Sequence, residues 1–194
     1  MPAKRMPKEQ RRTQLLETAS AIVRAQGTDA LTLAHLAEQA GVTKPIAYEH
    51  FGTRAGLLIA LYRDYDDRQA KAVQAALEAQ ARTLEDVVAI LSAAYVDCVL
   101  TAGPEFGAIA AALSASEEME GFRDSLREGY VDLYGEALSR FADLPRPGGR
   151  ALLLGIIGAA DALSQAAANG RMPRADAIDA LSQIMLGALL IARR

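Results

Sequence analysis

The sequence has no tryptophan, one cysteine and two histidines, and each shortage closes a class of function. A lone Cys98 forms no internal disulfide and excludes zinc sites built from several cysteines. The two histidines, His35 and His50, lie far along the chain from Cys98. No GxSxG, P-loop, dinucleotide fingerprint or HExxH motif is present. Carboxylates are plentiful but form no recognisable acid–base pair, so neither an enzyme nor a cofactor or metal site is expected. Long apolar runs are missing too. The longest, Ala151 to Ala160 and Ile184 to Ala192, fall short of a bilayer span, and no apolar stretch follows the basic N-terminus as a secretory signal requires. A cytoplasmic protein without a membrane partner is expected.

Aromatic residues make up 5% of the chain and β-branched residues are sparse, whereas alanine is abundant throughout. Alanine is the best helix former, so the expected fold class is all-α. The net charge of −3 hides a division. Met1 to Arg63 holds nine Lys or Arg against five acids, +4, and Asp64 to Arg194 holds twelve against nineteen, −7. A basic first third on an acidic remainder assigns phosphate binding to the first.

The chain reads as successive helices. Leu15, Leu16, Ala19, Ile22 and Val23 recur at helical spacing before Gly27, a C-terminal stop. A short helix follows over 33–40, then Gly41 and Val42 turn the chain. Thr43 caps the next helix, with Pro45 in its first turn, and that helix ends near Phe51 and Gly52. Thr53 caps a longer connecting helix over 54–81, apolar at Leu57, Leu58 and Leu61 and charged from Arg63 to Lys71. Thr83 to Asp86 is a capping box opening a helix with the face Leu84, Val87, Val88, Leu91, Tyr95, Cys98 and Val99; Ser114 to Glu117 is a second box, opening a helix with Met119, Phe122, Leu126, Tyr130, Leu133, Ala137 and Phe141 on one side. A short segment from Glu105 lies between them. Pro145 to Gly149 is a loop, and two apolar helices finish the chain, over about 150–168 and 174–193. The expected domains are 1–53 and 54–194.

The stretch Leu31 to Arg54, LTLAHLAEQAGVTKPIAYEHFGTR, has the form helix, tight turn, short helix. Ala47 and Phe51, four apart, turn toward the first helix, which leaves Lys44, Pro45 and Tyr48 outward. A solvent-facing Tyr beside a Lys suits a phosphate-lined groove. A helical hairpin that only packs is the alternative.

These residues resemble the DNA-binding region of the TetR family of bacterial transcriptional regulators. The resemblance is carried by Leu31-Thr32, Leu36-Ala37, Ala40-Gly41-Val42-Thr43, Tyr48, His50-Phe51 and Arg54 with Leu57 and Leu58, all within the first 63 residues. It implies an N-terminal three-helix DNA-binding domain with a helix-turn-helix, followed by a helical ligand-binding and dimerisation domain. It also implies roles. Thr43, Tyr48, His50 and Arg54 match positions that commonly contact phosphates, and Lys44, Pro45 and Ile46, with Ala34, match positions that approach bases. Thr32 matches a cap that often touches phosphate. Lys44 suits direct readout, since an ammonium donates to guanine O6 and N7. His50 is alternatively a helix-end residue satisfying carbonyls. Ala47 is smaller than the family's usual aliphatic residue, and Ala55 replaces a commonly acidic one. Lys4, Arg5, Lys8, Arg11 and Arg12 form a basic arm, either a solvated tail or an added DNA contact.

For the acidic remainder the resemblance implies a small-molecule effector and a homodimer. The last two helices, with Leu152, Leu153, Ile156, Ile157, Leu163, Leu181, Ile184, Met185 and Leu189, carry more apolar surface than one small domain readily covers, and are the expected dimer surface; Gly155, Gly158, Ala159 and Ala162 allow close approach. An ordinary buried core is the alternative. Tyr95, Cys98, Phe106, Tyr130, Tyr134, Asp161 and Gln165 are the candidate pocket residues for an apolar or amphipathic effector, although each can instead fill core. Together these features predict a homodimeric repressor on a near-palindromic double-stranded operator, released by its effector. The rival reading is a small-molecule-binding or redox-sensing helical protein, working through Cys98, without sequence-specific DNA recognition.

Overall fold

The computed structural model describes residues 6–101, 117–144 and 147–191. Among them all regular structure is helical. α1 spans Lys8–Gln26, a 3-10 turn Thr28–Ala30, α2 Leu33–Gln39, α3 Lys44–Phe51, α4 Arg54–Gln80, α5 Leu84–Thr101, α6 Glu117–Ser139, α7 Gly149–Ala168 and α8 Arg174–Ile191. The all-α class holds, and the helix ends fall within a residue or two of those read from periodicity, the usual scatter for frayed termini. Phe106, Ser114 to Ser116, Lys4 and Arg5 lie outside the described residues, as does the start of the Pro145 loop.

The chain forms two compact units, the first reaching Arg68 and taking in the start of α6 up to Glu120, the second beginning at Gln69 and resuming at Gly121. The division falls inside α4 rather than at its start, because the first turns of α4 bury Leu57, Leu58 and Leu61. In the first unit α1 buries Leu15, Leu16, Ala19, Ile22 and Val23, the five positions its periodicity indicated. α2 packs on both α1 and α3, with Leu36 and Ala37 closed to solvent.

In the second unit one core joins Val87, Val88 and Leu91 of α5, Val131, Tyr134 and Leu138 of α6, Leu153, Ile156 and Ile157 of α7, and Leu181, Met185 and Leu189 of α8. The capping box at its entrance is formed: the Asp86 amide donates to the Thr83 hydroxyl at 3.2 Å, and Asp86 Oδ2 accepts from the Thr83 amide at 3.0 Å and the Arg82 amide at 2.9 Å. Those two backbone bonds hold the Asp86 carboxyl below its ordinary pKa, the Arg82 amide contributing most. Farther along α5, Asp97 takes both arms of the Arg174 guanidinium at 2.5 and 2.6 Å, which lowers its pKa and pins the start of α8 to α5.

Three expectations need correction here. On α5 the buried line runs through Ser92 and Val96, not through Tyr95, Cys98 and Val99, which are half-buried. Ser92 enters the core because its hydroxyl is small and rests 3.6 Å from the Met185 sulfur. On α6 Phe122 and Ala137 of the expected stripe are buried, but the rest of the buried line is Val131, Tyr134 and Leu138, and Leu126, Tyr130, Leu133 and Phe141 lie at its margin. Of the nine residues expected at the dimer surface, Leu153, Ile156, Ile157, Leu181, Met185 and Leu189 are closed inside the chain's own core. α7 and α8 both pack against α5 and against each other, and this consumes their strongest apolar stripes. What they leave exposed is Leu154, Gly155, Gly158 and Ala162 on α7 and Ile184 and Leu190 on α8.

As a helix, α7 exceeds the apolar run Ala151 to Ala160 from which a span seemed too short. Its 20 residues make it long and apolar enough to cross a membrane by length and composition alone. The core helix of a globular fold passes the same test, and α7 is packed between α5 and α8.

Candidate nucleic-acid interface

The local chemistry of residues 28–56 builds a two-helix unit with one polar row facing out. Thr32 caps α2, its hydroxyl accepting from the His35 amide at 3.1 Å. Gly41 turns the chain with φ +66°, in the left-handed region where a side chain is strained. Thr43 occupies the N-cap of α3, but its hydroxyl makes no capping bond there. The expected cap is therefore positional only. α3 buries Ala47 and Phe51 and exposes Thr43, Lys44, Pro45 and Tyr48, with Tyr48 53% exposed. Ile46 is half-buried, as is Ala34 on α2. An exposed tyrosine of this size beside a lysine, on a helix only eight residues long, presents one apolar ring with one polar tip and one cation to whatever lies in front of it.

Two of the residues expected on DNA phosphates, Arg54 and His50, also have surroundings within the chain that shape them. Arg54 points inward: its Nε donates to the Leu31 carbonyl at 2.9 Å and its Nη2 to the Thr28 carbonyl at 2.7 Å, with Asp29 at 3.8 Å. It ties the start of α4 to the loop ahead of α2. Arg54→Ala is expected to cost the first unit about 1–3 kcal/mol, the range for losing charge-assisted hydrogen bonds. Chemical denaturation would measure the loss, and Arg54→Lys would not restore it, since an ammonium lacks the planar fork. His50 has its pKa lowered, by burial first and then by the Lys8 and Arg12 charges against the opposing Glu49 and Glu9. The lowered pKa favours the neutral ring.

Arg12 is also reassigned from the basic arm. Its guanidinium lies 5.1 Å from the centre of the Phe51 ring and donates to the His50 carbonyl at 3.2 Å, closing the C-terminal end of α3. Gln14 donates to the Ala40 carbonyl at 3.4 Å, closing α2 the same way. Lys8 faces Glu49 at 3.7 Å. Sequence reasoning assigned none of the positioning roles, because no local pattern connects α1 to the carbonyls at 40 and 50.

Residues 15–61 match the family model for bacterial regulatory proteins of the tetR family. This segment is similar to the DNA-binding region of that family. The HTH-type transcriptional activator FasR of Mycolicibacterium smegmatis is 36% identical over 73 residues, 38% of this chain and 33% of that protein. The HTH-type transcriptional regulator BetI of Rhizobium meliloti is 33% identical over 85 residues, 44% of this chain and 42% of that protein. The match thus spans well under half the length of either curated relative. A tetR-family regulator from Streptomyces coelicolor shares the fold, with TM-score 0.70 over 96% of this chain and 83% of that one, at 21% identity.

In the second unit the expected pocket residues divide. Tyr95, Cys98, Tyr130 and Tyr134 line one cavity together with Gln69, Val73 and Leu91. Tyr134 is deeply buried, its hydroxyl donating to the Leu91 carbonyl at 3.2 Å, and burial, with a lesser contribution from Cys98, raises its pKa. Tyr95 contacts the Tyr130 ring at 5.4 Å between centres and bonds Asp161 on α7 at 2.7 Å. Asp161 thus meets the cavity only through Tyr95. Gln165 is exposed and does not line the cavity, and Phe106 lies outside the described residues. Gln69 and Val73, on the charged stretch of α4, were missed because that stretch reads as solvated.

Proposed function

We propose that the chain is a cytoplasmic, homodimeric transcriptional regulator that binds a near-palindromic operator and, as a repressor, is released from it by a small-molecule effector. The observation that carries the DNA-binding half is the row Thr43, Lys44, Pro45 and Tyr48, held outward by the burial of Ala47 and Phe51 within the segment that matches the family. Two such helices would enter successive major grooves about 34–36 Å apart. The exposed faces of α7 and α8, with Leu154, Gly155, Gly158, Ala162 and Ile184, support dimerisation, since small residues let helices approach closely. The cavity at Tyr95 and Tyr130 supports effector binding, and α4 supplies both the helix after the reading unit and the wall residues Gln69 and Val73. An effector that favours one arrangement of α4 would lower operator affinity by population shift.

Fluorescence anisotropy against DNA upstream of the protein's own gene, with a scrambled duplex of equal length and two salt concentrations, tests the reading. Sequence-dependent binding that survives added salt is expected; equal, salt-labile binding to both duplexes would reduce it to charge attraction. Lys44→Ala should cost on the order of 1–3 kcal/mol and relax preference at one position per half-site, whereas Tyr48→Phe should weaken all sequences alike. The reverse pattern would mean that α3 is oriented differently on DNA. Sedimentation equilibrium checks the dimer.

A further inference from the structure

Glu49 stands where folding alone gives it no advantage. It lies in the last turn of α3, beside the partial negative charge of the terminal carbonyls, where a carboxylate destabilises a helix. It belongs to the basic first third of the chain. It is also exposed at the middle of the outward face. Ala47 and Phe51 are the buried pair of α3, and Glu49, two residues from each, is turned about 200° around the helix from both. The exposed Pro45 and Tyr48 flank it on that face. Among the described residues it makes one ion pair, with Lys8 at 3.7 Å, and its charge also acts on His50. The Lys8 and Glu49 side chains are 67% and 64% exposed, and a pair so open to water adds little stability. Lys8 is itself the first residue of α1, the end at which a cation is disfavoured. A local rule broken without a return in stability marks a functional position.

We propose that Glu49 reads a cytosine in the major groove, its carboxylate accepting from the N4 amino group, and that each operator half-site therefore holds a C·G pair opposite the middle of α3. The inference rests on the reading of α3 as the helix that enters the operator. Cytosine suits a carboxylate best among the four bases. Adenine N6 also donates, but the acceptor N7 beside it repels a carboxylate, and guanine and thymine offer no amino group in this groove. Lys8 offsets the charge that Glu49 would otherwise present to the phosphates. Over other bases the carboxylate is left desolvated beside acceptors. Glu49 thus acts as much by rejecting wrong sequences as by binding the right one.

Selection from a random duplex library by the unaltered full chain, by Glu49→Ala and by Glu49→Gln tests this, followed by anisotropy titration on the selected site and on a scrambled duplex. The unaltered chain is expected to enrich an invariant C·G pair in each half-site. Glu49→Ala should make that position indifferent, lowering discrimination there by about 5- to 100-fold. It should also raise affinity for scrambled DNA by about 2- to 5-fold, since one negative charge is gone and Lys8 is freed for phosphates. Glu49→Gln should turn the preference toward adenine, because an amide pairs with N6 and N7 together. Both variants should unfold at a urea concentration no lower than the parent's, as an exposed and unfavourable charge has been removed. The same motif from either variant, a motif without an invariant C·G pair, or a loss in Glu49→Ala shared equally by selected and scrambled DNA overturns the assignment. In those cases the unaltered chain still selects a sequence and the regulator reading stands. If the unaltered chain enriches no sequence, the operator reading falls and the role of Glu49 falls with it.

Discussion

Gly56→Ala is expected to cost the first unit about 3 kcal/mol and with it most operator binding. A methyl group at this position would lie 2.3 Å from the Phe51 carbonyl oxygen and 3.4 Å from its carbon. The obstruction is backbone, which cannot rotate away as a side-chain tip does, and overpacking of this kind costs at least the usual 1–3 kcal/mol. Relief would require Phe51 to move. Phe51 anchors α3 beneath the exposed Lys44 and Tyr48, carries the Arg12 guanidinium on its ring, and accepts the Thr53 amide at 2.7 Å. A unit of roughly 60 residues has only about 3–9 kcal/mol in all, so the change approaches its whole stability. Urea denaturation with operator titration measures both effects. A Gly56→Ala variant within about 1 kcal/mol of the parent would show that α4 does not approach α3 this closely.

The second large effect separates two descriptions of α6. Leu138 is fully buried among the core residues of α5, α6, α7 and α8, and Leu138→Ala is expected to cost about 2–5 kcal/mol. Leu126 lies on the stripe that sequence periodicity favours, yet it is only half-buried in the structure. Leu126→Ala should therefore cost under about 1 kcal/mol, in keeping with marginal positions. Thermal denaturation of the two variants in parallel decides between the faces. Equal losses, or the larger loss at 126, would restore the stripe read from sequence.

The same contrast explains what was legible in the chain. The helix-turn-helix could be read because its determinants are local: Thr32 caps α2, Gly41 takes a positive φ, and Ala47 and Phe51 fall on one side of α3. The register of α5 and α6 was not fully legible, because alanine-rich and tyrosine-bearing helices offer two neighbouring faces of similar hydropathy. Only the arrival of α7 and α8 selects between them. Ser92 and Val96 are then buried and Tyr95 is left at the cavity margin. The bonds that Arg54 makes within the chain were not legible. A guanidinium reads as a phosphate ligand in sequence, and nothing in the chain's pattern indicates that the carbonyls of Thr28 and Leu31 are waiting for it. Four of the seven expected pocket residues do come together, since aromatic side chains on facing helices converge whichever exact register prevails.

The end of α4 has a mechanical consequence. The Arg82 guanidinium folds back onto the carbonyls of Glu78, Ala79 and Ala81 at 3.4, 2.9 and 2.8 Å, while the Thr83–Asp86 box closes the start of α5. Arg82 thus serves both helices, its guanidinium closing α4 while its amide donates to Asp86 of α5 at 2.9 Å. Leu77 and Ala81 of α4 also pack against the core that holds Val87 and Val88 of α5, so this corner is a braced elbow between two stiff rods. A push on α4 at Val73 would therefore reach α5 through packed side chains instead of being lost in a slack hinge.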